Sequence, residues 1–270
     1  MNKLVICGDS FAKGIGCKNL KTSPYGSLLA ENLCMSMINL AKGSSTNFSI
    51  YLQAKYALEK YSSDIGLLLA TTTCYDRLDW FPYDTNTNGQ PKISNLDVNY
   101  HEYPPYHESS YIPECIEDHP MVDEVNYTGK MFTDNIMGII DYWENFGSTD
   151  THCGYYQRFH SEPKERMKLL YDYGVQIHDH KIDRIKSLGV FAMIHILCKK
   201  SNIKHIIGVD QWSYDLYSEV IDLENLVILD WVKLATEYPD TIGSLHTSEQ
   251  GHCIASKIIQ DKIKNNKWEF

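Results

Sequence analysis

The chain of 270 residues carries 35 acidic against 25 basic side chains, a formal charge of −10, with 43% hydrophobic and 22% charged residues. That balance fits one large globular domain and excludes wholesale disorder, while the acidic surplus argues against a general nucleic-acid binder, since such a surface repels phosphate backbones. No run of 18 apolar residues occurs and the opening MNKLVICGDS passes directly into a strand pattern, so neither a membrane span nor a cleaved signal peptide is expected.

In chain order, Lys3–Cys7 (KLVIC) is a short apolar run closed by Gly8-Asp9-Ser10, the pattern of a strand entering a turn. Residues 24–33 predict a helix with Pro24 in its first turn. Residues 35–40 predict a second strand, followed by the loop Ala41-Lys42-Gly43-Ser44-Ser45. Residues 44–47 offer N-caps for a helix over 48–61, and Ile65–Ala70 (IGLLLA) is a third strand, apolar on both faces. Strands of this kind, spaced by helices, predict a three-layer α/β/α domain with a parallel sheet in flavodoxin-like order.

Residues 75–163 break the rhythm with turn residues and little periodicity, and 81–160 reads as a large irregular insertion in an otherwise single domain, 1–270. Nine of the 19 tyrosines fall in it. Tyr100, Tyr103, Tyr106, Tyr111, Tyr155 and Tyr156, with Trp80 and Trp143, suit a sugar cleft, a protein interface or the small core of a subdomain. The insertion is expected to cover the carboxyl-end rim of the sheet. Helical character returns from 163 to 200 in two pieces, interrupted at Gly174 and Gly189. Strands over 205–209 and 226–230 follow, then a last helix over 247–264 with the capping box Thr247-Ser248-Glu249-Gln250.

In an open parallel sheet, function collects at the carboxyl ends of the strands. Ser10 sits there, on a turn entering a helix, where its hydroxyl reaches the rim and its N–H can face an oxyanion. A hydroxyl needs a base to become a nucleophile, and His246, just before the last helix, falls at the same rim. Asp9 is either a hydrogen-bond acceptor behind the nucleophile or a turn former.

With these residues the chain resembles the SGNH, or GDSL-type, hydrolase family. Gly8-Asp9-Ser10 matches its first block, with Ser10 as nucleophile. Asn39 to Ser45 matches the second, in which the N–H of Gly43 joins the oxyanion hole, and His246 with Gly251-His252 matches the last. The third block normally supplies an asparagine; here that place reads Ala70-Thr71-Thr72-Thr73-Cys74, where a hydroxyl of Thr72 or Thr73 would stand in. Arg77 follows shortly, and the pattern is similar to versions of this fold in large tailed-phage genomes. The family's acid, three residues before the histidine, is replaced by Gly243. Two outcomes are open: a backbone carbonyl or hydroxyl holds His246 in a Ser-His dyad, or the chain turns back at Gly243 and Asp240 completes a triad.

The resemblance implies a serine esterase acting on a small or carbohydrate-linked acyl ester, with no metal or cofactor. Its rival is a phage-encoded scaffold, virion or binding protein with catalysis reduced or lost, whose partner would meet the Tyr-rich insertion. The eight cysteines lack a CxxC pair and read as reduced, which places the protein in the cytoplasm, or in a virion assembled there. His252, inside the last helix, reads as a packing residue. His178-Asp179-His180 with Asp183 reads as a solvated helix face on which the two histidines diverge. Cys115 and His119, with His101 and His107, match no familiar zinc spacing, and His195 reads as a core histidine. Gly14 and Gly16 lack the third glycine and helix entry of a dinucleotide loop.

Overall fold

β1 (Lys3–Cys7) sends Leu4 and Ile6 to one face of a sheet and Val5 and Cys7 to the other, and all four are buried. β3 (Ile65–Thr71) repeats this with Leu67 and Leu69 against Leu68 and Ala70. A strand that buries both faces needs helices on both sides, and the sequence supplies them. The computed structural model describes residues 2–43, 45–75, 77–80, 132–135, 139–140, 143–144, 164–241 and 246–270.

Five parallel strands, β1, β2 (Ser36–Asn39), β3, β6 (His205–Val209) and β7 (Leu226–Ile228), pair in the order β2-β1-β3-β6-β7. Counted along this sheet alone, the order is 2-1-3-4-5, the flavodoxin-like arrangement. α3 (Asn47–Tyr61), the later part of α5 (His180–Lys200) and α6 (Tyr214–Ser218) cover one face through Ile50, Ala54, Phe191, Ile194 and Tyr217. The short α1 (Ser10–Lys13), α2 (Tyr25–Asn32), α7 (Trp231–Glu237) and α8 (Glu249–Asn265) cover the other through Ala12, Tyr25, Leu29, Trp231 and Ile259. The fold is the three-layer α/β/α domain expected from the strand pattern.

Residues up to Thr73 and from Lys186 onward form one compact unit, and the described residues of Cys74–Tyr106 and Tyr127–Ile185 belong to a second. In the second unit β4 (Arg77–Trp80) pairs antiparallel with β5 (Phe132–Asn135), and Trp143 packs on Tyr171 of α4 (Lys164–Gln176). No helix among the described residues is long and apolar enough to cross a membrane.

Three local expectations are corrected. The helical stretch breaks at residues 177–179 rather than at its glycines, since Gly174 and Gly189 both lie inside helices. Gly189 faces open space, and a lone helical glycine costs only about 1 kcal/mol. Because the break precedes His180, the His178 side chain folds back: its Nε2 lies 3.2 Å from His180 Nδ1 and its Nδ1 lies 3.0 Å from Asp183. The two histidines converge instead of diverging. Finally, the capping box does not form. Ser248 is the N-cap, and the Thr247 hydroxyl bonds the carbonyls of Leu234 and Tyr238, tying α7 to the start of α8.

Candidate active site

The turn after β1 is built by its own side chains. Asp9 caps α1, its Oδ1 accepting the Phe11 N–H at 3.0 Å, and Ser10 becomes the first helical residue. The first N–H groups of a helix have no intrahelical acceptor, and the Ser10 N–H is one of them. Asp9 is buried, and its Oδ2 accepts the Thr73 hydroxyl at 2.7 Å. The carboxylate thus joins the exits of β1 and β3. Thr73 has one hydroxyl proton, and it points at Asp9. Thr72, half-buried at the end of β3, anchors its backbone N–H on the Gly208 carbonyl at 2.9 Å.

Gly8 allows this turn to close. A Cβ there would lie 2.3 Å from the Ala12 Cβ and 2.6 Å from the Thr71 hydroxyl, so any side chain would push α1 away. Gly43 lies half-buried in the turn after β2; Asn39 fastens that turn to α1, donating to the Ala12 carbonyl and accepting from the Ala41 N–H.

His246 arrives from the far end of the chain. Its ring packs on Phe11, the residue after Ser10, with centroids 4.8 Å apart. Gly16, at φ +102°, makes room for this approach: a Cβ there would sit 2.4 Å from the Thr247 carbonyl and 3.2 Å from the His246 Cβ. The backbone around His246 forms a two-stranded ribbon. Pro239 pairs with Thr247, the Asp240 N–H donates to the His246 carbonyl at 3.0 Å, and the Ser248 N–H donates to Tyr238 at 2.7 Å. Pro239 occupies the pair that exchanges no hydrogen bonds, the position where its missing N–H costs nothing. In this register Asp240 stands directly opposite His246. Side chains of opposed residues share one face, with Cβ atoms about 4.5–5.5 Å apart.

Behind the Gly8-Asp9-Ser10 turn lies an aromatic cluster. Trp231 stacks on Phe11 at 5.3 Å and packs on Tyr25 and His252. His252 is fully buried, and its Nδ1 accepts the Tyr25 N–H at 3.4 Å. Burial pushes its imidazole down to about 4, so the ring is neutral near pH 7. Burial likewise raises the Tyr25 phenol far above its ordinary value, with Cys7 and Asp9 adding to the rise. His252 is therefore a packing residue, as its place in the last helix implied.

Sequence reasoning passed over Gln53 of α3 and offered Asn47 only as one of several N-caps, a place that Thr46 takes. Gln53 is wholly buried, exchanges two hydrogen bonds with Gly8 and donates a third to Ser45. Asn47 holds the Thr73 N–H and carbonyl and donates to Ser187. A signal existed for Gln53: Ile50, Ala54, Ala57 and Leu58 form the buried stripe of α3, and residue 53 falls on it at i+3. Arg77 belongs to the second unit, where it opens β4 opposite Asn135. Gly243, Ser244, Cys115, His119, His101, His107 and the six named tyrosines of 81–160 lie outside the described residues.

No protein-family model and no curated protein matches the sequence. Among solved structures, the chain aligns with an acetyl xylan esterase, Est2A, from the rumen bacterium Butyrivibrio proteoclasticus, with TM-score 0.48 and 10% identity over 98% of this chain; it spans 64% of that protein's length. It also aligns with a protein assigned to the lipolytic G-D-S-L family from Desulfitobacterium hafniense DCB-2, with TM-score 0.31 and 12% identity over 97% of this chain and 99% of the other.

Proposed function

We propose that the protein is a serine esterase of the SGNH type acting on a small or carbohydrate-linked acyl ester. The observation that carries this reading is the meeting of the chain's two ends, where the His246 ring packs against the residue after Ser10. In this reading Ser10 Oγ attacks the ester carbonyl while His246 takes its proton. The N–H groups of Ser10 and Gly43, with the Thr72 hydroxyl, hold the oxyanion. Collapse of the tetrahedral intermediate expels the alcohol, which receives the proton from His246. Water, activated by the same ring, then releases the acid and frees Ser10. The sequence of steps draws on no metal or cofactor.

Asp240 supplies the orienting carboxylate. Its support is the ribbon register, which brings it opposite His246 without a side chain at residue 243. Thr73 works through Asp9, and Asp9 holds the turn that presents Ser10.

A second reading, a scaffold or virion-type binding protein on the same fold, is favoured by one observation. Thr73, one of the two threonines offered for the family's asparagine place, spends its hydroxyl on Asp9. Hydrolysis of p-nitrophenyl acetate and of acetylated xylan by the purified protein separates the two readings. The esterase reading expects turnover that Ser10→Ala removes. Absence of turnover on both, and on longer acyl chains, favours the scaffold.

A further inference from the structure

The two N–H groups assigned to the oxyanion hole lie on different loops, one after β1 and one after β2. Their separation must be held to a fraction of an ångström for both to reach one oxygen. Asn39 ties α1 to Ala41, and Gln53 bonds to both loops next to the two N–H groups themselves. Its Oε1 accepts the Gly8 N–H at 2.8 Å; its Nε2 donates to the Gly8 carbonyl at 3.2 Å and to Ser45 Oγ at 3.2 Å. Ser45 Oγ in turn donates to the Lys42 carbonyl at 3.0 Å, and the Lys42 N–H reaches the Gly8 carbonyl at 3.2 Å. Gly8 lies two residues before Ser10, and Gly43 lies between Lys42 and Ser45.

We propose that Gln53 is a positioning residue of this site, a cross-brace that fixes the spacing of the Ser10 and Gly43 N–H groups. The inference rests on the esterase reading for its meaning, while the brace itself has a readout of its own. A glutamine costs stability in an apolar stripe unless its amide is bonded, and here both ends of the amide are used. No ordinary core residue could replace it. Leucine or methionine fills the volume but leaves the Gly8 N–H without its acceptor.

The test uses Gln53→Met, Gln53→Glu and Ser45→Ala. Hydrogen exchange is followed at Gly8 and at the β1 amides, and steady-state kinetics are measured on p-nitrophenyl acetate. For Gln53→Met the Gly8 amide is expected to exchange at least about tenfold faster while Val5 and Ile6 stay protected. Its kcat should fall about 10- to 100-fold, with KM changed less than about threefold. Ser45→Ala cuts one arm of the brace and should lower kcat by a smaller factor, leaving Gly8 protection intact. Gln53→Glu adds a pH signature. Burial raises the new carboxyl's pKa, and its neutral form can again donate to the Gly8 carbonyl. The ratio of variant to unmutated kcat should therefore rise as pH falls, a trend that general loosening would not produce. Unchanged Gly8 exchange or unchanged kcat in folded Gln53→Met overturns the proposal. If that variant does not fold, an unchanged kcat in Ser45→Ala together with a flat ratio for Gln53→Glu does the same. An unmutated protein without turnover would sink the esterase reading alone, and the Gly8 exchange would still decide the brace.

Discussion

The two ends of the central sheet bury polar groups in different ways. At the carboxyl ends of β1 and β3, the Asp9 carboxylate accepts from the Thr73 hydroxyl and the Phe11 N–H, and the loops there are bonded by the amides of Gln53 and Asn47, the latter also donating to Ser187. At the amino end of β6, the buried groups are imidazoles. His205 Nδ1 faces the Ile203 carbonyl at 3.0 Å and so donates; its Nε2 then accepts from His195 Nδ1 at 2.8 Å. His195 Nε2 is left 3.5 Å from Asp222, which also takes Lys199 at 2.7 Å. Burial pushes His205 down to about 4. Amides and hydroxyls keep their hydrogen-bonding roles across the physiological pH range, whereas imidazoles change theirs. The amides and hydroxyls that hold the Gly8-Asp9-Ser10 turn thus keep their roles as pH falls, while buried imidazoles, the pair at the amino end of β6 and His252 behind that turn, carry the acid sensitivity.

The largest expected effects fall at the carboxyl end. His246→Ala should lower kcat by about 10⁴ or more, since without the base the Ser10 hydroxyl keeps its proton. Steady-state hydrolysis of p-nitrophenyl acetate measures this. Asp240→Asn should cost about 10³ or more if the ribbon holds the carboxylate against the ring. A loss below about tenfold would return the site to a Ser-His dyad, with a backbone group holding the imidazole.

At the other end the expected effect is on stability. His205 has a folded pKa of about 4 against an ordinary 6.5, so between those values the unfolded chain binds a proton that the folded one refuses. Its contribution is fully present above about pH 6.5 and is lost as pH falls toward 4. The loss over that window is roughly 3 kcal/mol. His252 should add a similar loss from behind the Gly8-Asp9-Ser10 turn. Urea unfolding at pH 7 and pH 5 measures the slope, and His205→Asn should reduce it by about half, the His252 share remaining. If His205→Asn leaves the slope unchanged, the contrast between the ends is broken. The smallest effect is Thr73→Val, which strips Asp9 of a buried donor and should cost about 1–3 kcal/mol of stability at pH 7 by the same measurement.

Much of this arrangement was legible in the residues. β1 and β3 declared themselves by being apolar on both faces, and the Gly8-Asp9-Ser10 turn by its place after β1. His246 was singled out by its place before the last helix, and Asn39 and Gly43 through the resemblance. What escaped was set by long-range partners. The Thr247 hydroxyl looks like a helix cap until the carbonyls of Leu234 and Tyr238 compete for it. Gln53 looks like any polar residue in a helix until Gly8, 45 positions away, supplies its partners. Asp240 was one of two open outcomes in the sequence, and its register opposite His246 comes from the Pro239–Thr247 bridge. The break at residues 177–179 contains no glycine or proline, so local propensity pointed to Gly174 and Gly189 instead.

The most direct test of the central claim is covalent labelling of the native protein with a fluorophosphonate, read by intact mass and peptide mapping. The account predicts a single adduct on Ser10, absent in Ser10→Ala and formed far more slowly in His246→Ala. A native, folded protein that gains no adduct, or gains it on another residue while Ser10 stays unmodified, would contradict it.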